Sequence, residues 1–205
     1  MRILIGYTLK CLDTKMPKHI GTTKGIIDWN IVLDTITPKT GDHNTVTSVV
    51  DRSEAEAVRD QGLLQSYRDV IGTWEKAGYN LKQIEWWDYY PGEHFSIDVQ
   101  TQFADLVNAD PLRVFVSEVL PGGCVPYHWD VEDKEEEWLK IGSLVRYVCF
   151  IDAPKFGHVL ILEDQCFYNI QQHELYQWDN YRSHHAGTNC GSEPYYLFHF
   201  LGRPR

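Results

Sequence analysis

The chain has 205 residues, 43% of them hydrophobic and 23% charged, and a formal net charge of -10. That composition suits one globular domain with a sizeable core, and the negative charge argues against tracking a phosphate backbone, so no nucleic-acid partner is expected. Five cysteines (Cys11, Cys124, Cys149, Cys166, Cys190) with no CxxC pair exclude a disulfide framework, and no run approaches a membrane span, so the expectation is a soluble cytoplasmic protein with reduced thiols.

The start, Met1 to Tyr7, is too short and too soon polar for a signal peptide. Arg2 to Leu9 reads as a strand. Asn30 to Thr37 and Thr45 to Val50 read as two more, around a turn rich in Pro, Gly, Asp and Asn. Ser53-Glu54-Ala55-Glu56 is a capping-box signature, and apolar residues then recur at helical spacing, which predicts one helix over Glu54 to Ala77. The aromatic cluster Trp86, Trp87, Tyr89 and Tyr90 is expected as core between helix and sheet, with the mouth of a site as the other reading. Ser96 is placed to cap a second helix from Ile97 to Asn108.

From residue 112 the texture changes to short strands. They are expected at 112–120, 124–131, 143–151, 158–163, 166–170, 174–178, 182–187 and 194–201, with turn residues between them. Eight such strands fit a jelly roll. The expected fold is mainly β: residues 1–110 contribute N-terminal α/β strands and supporting helices, and residues 111–205 a jelly-roll core, in a single domain. The acidic run Glu132 to Glu137 is expected as a solvated loop, or as a loop that gates a site.

Chemistry concentrates in Cys124 to Asp130, Cys-Val-Pro-Tyr-His-Trp-Asp. On an extended strand residues i and i+2 point to one face, so His128 and Asp130 lie side by side with Trp129 opposite. These are two legs of a two-histidine, one-carboxylate facial triad, the set that holds non-haem Fe(II) and keeps positions open. The third leg must come from a distant strand. Ser183-His184-His185-Ala186-Gly187-Thr188-Asn189 offers two histidines.

His128-Trp129-Asp130 followed by His185 resembles the HxD…H motif of the Fe(II)/2-oxoglutarate-dependent oxygenases. The separation is 57 residues (185 − 128). The resemblance covers about residues 110–203 and implies a double-stranded β-helix, which is an eight-stranded, cupin-like jelly roll. His185-Ala186-Gly187-Thr188-Asn189-Cys190-Gly191 looks like the HAxxNxG endings of small bacterial and phage oxygenases. That favours His185 over His184 as the distal ligand. Family members usually carry an arginine about ten residues past that histidine. Here the region is Glu193-Pro194-Tyr195-Tyr196, a departure from the pattern. Arg146, mid-strand in an apolar run, is the best substitute, because a buried guanidinium needs an anion. Leu144-Val145-Arg146-Tyr147 followed by Asp152-Ala153-Pro154 also looks like the strand of the aspartyl/asparaginyl β-hydroxylase branch. A structural ion pair is the other reading of Arg146, and His199 and Arg203 are fallback anchors.

The resemblance implies His128, Asp130 and His185 as the metal and catalytic residues. It implies Arg146 on the far carboxylate of 2-oxoglutarate, with Tyr147, Asn189 and Tyr127 around them. The implied activity is hydroxylation of a C–H bond of an amino-acid residue or small metabolite, with O2 as co-reactant and succinate and CO2 as co-products. The alternatives are a cupin-like metal enzyme that does not use 2-oxoglutarate, and a non-catalytic jelly-roll binding module. Position 130 counts against the first, because cupins usually carry HxH.

Overall fold

The computed structural model describes residues 18–45, 61–81, 84–130, 135–152, 156–178 and 183–205. The strand expected over Arg2 to Leu9 lies outside these residues. So do the first turns of the Glu54-to-Ala77 helix and all but Thr45 of the Thr45-to-Val50 strand.

All eight strands of the C-terminal half are present: β4 (Ala109–Val119), β5 (Cys124–His128), β6 (Val145–Phe150), β7 (His158–Leu162), β8 (Gln165–Phe167), β9 (Glu174–Trp178), β10 (His185–Asn189) and β11 (Tyr195–Pro204). They form two antiparallel sheets. One has the order β5-β10-β7-β8. The other has β9-β6-β11-β4 at its heart, and is widened by β1 (Lys18–Thr22) beyond β9 and by β3 (Glu85–Tyr89) and β2 (Asp42–Thr45) beyond β4. The chain passes back and forth between the sheets, which makes a cupin-like double-stranded β-helix.

Alternation divides the core in two. All six residues of β6 are buried, as befits a central strand covered on both faces. Val145, Tyr147 and Cys149 point to the outer side. There they join Trp29, Val32, Val99, Phe103, Phe198 and Phe200, beneath helices α1 (Asn30–Thr35) and α3 (Ile97–Val107). Val148 and Phe150 point between the sheets, onto Leu160, Leu162, Tyr176, Trp178, Tyr195 and Leu197. Arg146 shares this inner face. A third, smaller cluster sets Trp74 of helix α2 (Gln61–Lys76) against Ile84, Trp86 and Trp129.

Several local expectations hold and two change. The Ser96 hydroxyl accepts from the Asp98 amide at the start of α3, and Asn108 ends the helix at φ 51°. Trp87 and Tyr89 fill the outer core from β3. Asn30 to Thr37, expected as a strand, instead contains α1. Trp29, Val32 and Ile36 sit three and four residues apart, so a helix puts all three on its buried face. The Trp29 indole also donates to Thr23 Oγ1 at 2.7 Å, tying the preceding loop down. The acidic run is not all loop, because a short helix α4 covers Glu135–Leu139.

One close backbone approach makes a stability test. Gly157, before β7, has φ +94°, and a Cβ there would meet the Gly191 amide and lie 2.6 Å from the Cys190 carbonyl carbon. Backbone cannot give way as a side-chain tip can. Gly157→Ala is expected to destabilise the fold by about 2 kcal/mol or more. A lower urea midpoint at unchanged slope would show it; an unchanged midpoint would mean that the two turns do not press together.

Candidate metal centre

The strands that carry the candidate ligands are neighbours. β10 runs antiparallel to β5, and His185 stands directly opposite His128. The turn before β5 is pinned to the end of β10: the Gly122 amide donates to Asn189 O at 2.8 Å, and the Asn189 amide to Gly123 O at 2.9 Å. Asp130 follows two residues after the end of β5. One ligand atom from each of His128, Asp130 and His185 lies within 4.8 Å of the others. The carboxylate bridges the pair, with Oδ1 3.6 Å from His128 Nε2 and Oδ2 3.5 Å from His185 Nε2.

The histidines are oriented from behind. His128 Nδ1 meets Pro126 O at 2.6 Å and His185 Nδ1 meets Ser183 O at 3.3 Å. A carbonyl only accepts, so these contacts place the proton on Nδ1 and turn the Nε2 lone pair inward. This is the usual second contact of a metal-bound imidazole. Burial pushes His185 down to about 3, against the pull of Asp130. It is therefore neutral at pH 7, the form that binds metal.

Burial alone would raise the carboxyl of Asp130. The Arg146 guanidinium, then His185 and His128, outweigh burial and hold it well below the usual carboxylate range. Arg146 is 2% exposed, and its Nη2 is 2.9 Å from Asp130 Oδ2. That oxygen is close to its partners yet aligned with none of them as a hydrogen bond. A buried anionic oxygen without an aligned donor, beside two inward lone pairs, is what a divalent cation would complete. The donors suit Fe(II) among the first-row ions. With donor atoms this close to one another, the three residues could share one ion.

Other unsatisfied atoms gather around the triad. Trp74 stands edge-on to His128 at 5.6 Å and Trp178 lies 5.3 Å from His185. Among the described residues both indole N–H groups lack hydrogen-bond partners, as do Ser183 Oγ and both ring nitrogens of His199. Burial, then Arg146, holds His199 well below its ordinary value, so its ring is neutral.

The remaining expectations sort by geometry. His184 turns to the opposite face, stacked on Tyr127 at 5.2 Å and edge-on to Trp129 at 5.0 Å, away from the triad. Tyr127 goes with it, its hydroxyl donating to Glu163 O. Tyr147, expected beside the cosubstrate, points to the outer core against Phe103 and Phe200, because it neighbours the inward Arg146. Asn189, expected there too, is spent on a turn. Its Nδ2 donates to Val119 O and Glu193 O, and its Oδ1 accepts from the Gly191 amide. Arg203 leans over Gly142. Sequence reading left out Trp74, Trp178 and Arg113. The even alternation of β4 was the available signal for Arg113, since it puts Arg113 and Phe115 on one face.

No protein-family model matches the chain, and no curated protein matches it in sequence. Among solved structures it is similar to a prolyl-4-hydroxylase from Pseudomonas putida, at 11% identity over 91% of this chain and 92% of that one, with a TM-score of 0.46. It is similar to a viral collagen prolyl hydroxylase from Paramecium bursaria Chlorella virus-1, solved with 2-oxoglutarate, at 18% identity over 67% and 89%, with a TM-score of 0.43. A predicted oxalate decarboxylase from Thermotoga maritima matches at 11% identity over 58% and 81%, with a TM-score of 0.37. No helix among the described residues is long and apolar enough to cross a membrane.

Proposed function

We propose that the protein is an Fe(II)- and 2-oxoglutarate-dependent dioxygenase that hydroxylates a C–H bond of an amino-acid residue or small metabolite. The observation that carries this reading is the triad itself: two imidazoles, each with Nδ1 against a backbone carbonyl, and an ionised carboxylate, converging inside a double-stranded β-helix. His128, Asp130 and His185 would hold the metal. Bound there, Fe(II) supplies O2 activation, with 2-oxoglutarate as the two-electron donor that leaves as succinate and CO2.

The chain's own residues do the positioning. Pro126 O and Ser183 O fix the ring orientations. Arg146 compensates Asp130. Its guanidinium carries five N–H donors in a fork, so contact with Asp130 is compatible with gripping a second carboxylate, that of 2-oxoglutarate. Trp74 and Trp178 shield the histidines from water.

One observation favours the cupin-like reading without 2-oxoglutarate. Tyr195, ten residues past His185, is 1% exposed and packs against His158 at 4.6 Å and Phe150 at 6.0 Å. No cation stands at that position. Anaerobic titration of the Fe(II)-loaded protein with 2-oxoglutarate separates the readings. A visible charge-transfer band is expected in the wild type and not in His185→Ala. Arg146→Lys keeps the charge and loses the fork, and should need about tenfold more 2-oxoglutarate. Metal binding without the band would favour the cupin-like enzyme, and no metal binding would leave a binding module.

A further inference from the structure

We infer that Arg113 and His199, carried on the face of Phe115, form a site for a carboxylate of the substrate, distinct from the place where 2-oxoglutarate meets Arg146. The inference rests on the oxygenase reading above and gives its substrate a class: an organic acid with a flat or apolar body, free or at a peptide's C-terminus.

Register places these residues. On β4, β11 and β6, Arg113 stands opposite Leu201 and Leu201 opposite Arg146. One row along, Phe115 faces His199, which faces Val148. Side chains two apart share a face, so all of these project inward, onto the side that carries Arg146 and the triad. The Arg113 guanidinium lies 4.7 Å from the Phe115 centroid. Phe115 stacks on the His199 imidazole at 4.5 Å and 5°. Arg113 also donates to the hydroxyl of Tyr90, whose ring lies 6.1 Å from Phe115. The wall is thus aromatic, rigid and cationic at one end.

His199 is the feature that needs a ligand. Both ring nitrogens are buried, and neither has a hydrogen-bond partner among the described residues. Buried polar groups in folded proteins are nearly always paired, so one that is not calls for an explanation. Two carboxylates on this side of the sheet are engaged by other groups. Asp88, on the same face, is held by Ser117 Oγ, Asn44 Nδ2 and Trp86 Nε1. Asp130 is the partner of Arg146. A planar anion against Phe115 would accept from both Arg113 and His199. Strands are about 4.8 Å apart, so Arg113, two strands from Arg146, stands about 10 Å from it along the sheet. A diacid chelated at the triad meets Arg146 first, and Arg113, which also holds Tyr90, is placed to meet the molecule being oxidised.

The test uses benzoate and its neutral counterpart benzamide. Each is titrated by calorimetry into Ni(II)-loaded protein saturated with 2-oxoglutarate. Benzoate should bind at least about tenfold tighter than benzamide. Arg113→Gln and His199→Phe, which keeps the ring stack, should each weaken benzoate by about tenfold and leave the 2-oxoglutarate Kd unchanged. Arg113→Lys should recover part of the loss. Equal binding of the two probes, or benzoate binding untouched by both variants, would overturn the site. So would variants that weaken 2-oxoglutarate instead, since the wall would then be the cosubstrate's clamp with the oxygenase reading intact. If Ni(II) and 2-oxoglutarate do not bind at all, the oxygenase reading fails by itself. The benzoate and benzamide comparison on metal-free protein then decides the anion site.

Discussion

Asp130→Ala will abolish metal binding and, separately, weaken the metal-free fold. The two effects have different origins. Losing the metal follows from removing the one anionic donor of the triad. Losing stability follows from Arg146, which is 2% exposed and has its guanidinium 2.9 Å from the deleted carboxylate. Breaking one side of a buried ion pair leaves an uncompensated charge and costs about 3 kcal/mol. Replacing both partners by apolar groups is often neutral. Urea unfolding in the presence of a chelator should therefore rank wild type above Asp130→Ala, with Asp130→Ala/Arg146→Met returning most of the difference. Calorimetric titration with Fe(II) should find no binding to either variant. If Asp130→Ala is as stable as wild type without metal, the ion pair is not a structural element. Arg146 would then be held by something other than Asp130.

Acid should destabilise the metal-free protein well before its carboxylates titrate. His185 is held at about 3 by burial, whereas in the unfolded chain it returns to about 6.5. Between those values the unfolded state binds a proton that the folded state refuses. Stability is therefore full above about pH 6.5 and falls as the pH drops toward 3, by about 1.4 kcal/mol per pH unit. His199, also held well below 6.5, adds a loss of the same sign over the same side of neutrality. Asp130 acts lower down. Its folded value lies well below 3.8, so its contribution is present above about pH 4 and disappears below that. Urea midpoints at pH 7.5, 6.5, 5.5 and 4.5, with chelator present, should decline steadily from the second point onward. His199→Phe should make the decline shallower. A flat profile down to pH 4.5 would mean that His185 is not buried as a neutral ring.

The triad was legible in the sequence for a simple reason. Two of its members sit two apart at a strand end, where spacing alone fixes the face. The third lies in a short β-rich segment with only two histidines to choose between. The eight strands were legible because turn residues separate them cleanly. What failed was local. Asn30 to Thr35 holds β-branched residues, yet Trp29, Val32 and Ile36 needed a common buried face, and tertiary packing decided for helix. Tyr147 was legible and misread, since it adjoins Arg146 and both cannot point inward from one strand. Asn189 could not be resolved from sequence. A buried asparagine two residues before a glycine serves a turn or a ligand equally well, and only the contacts to Val119, Glu193 and Gly191 choose the turn. The wall of Arg113, Phe115 and His199 joins two strands 86 residues apart in the chain (199 − 113), a distance over which no spacing rule operates.

The opposition of His128 and His185 across β5 and β10 has a consequence for folding. An ion held by both would close a 57-residue stretch of chain (185 − 128), as a covalent cross-link does. Closing loops of that size removes about 4 kcal/mol of freedom from an unfolded chain. Unlike a disulfide, this closure can form only after the two strands have found each other. The ion would then act as a latch set at the end of folding, and it would slow the opening of the β-helix far more than it speeds the assembly.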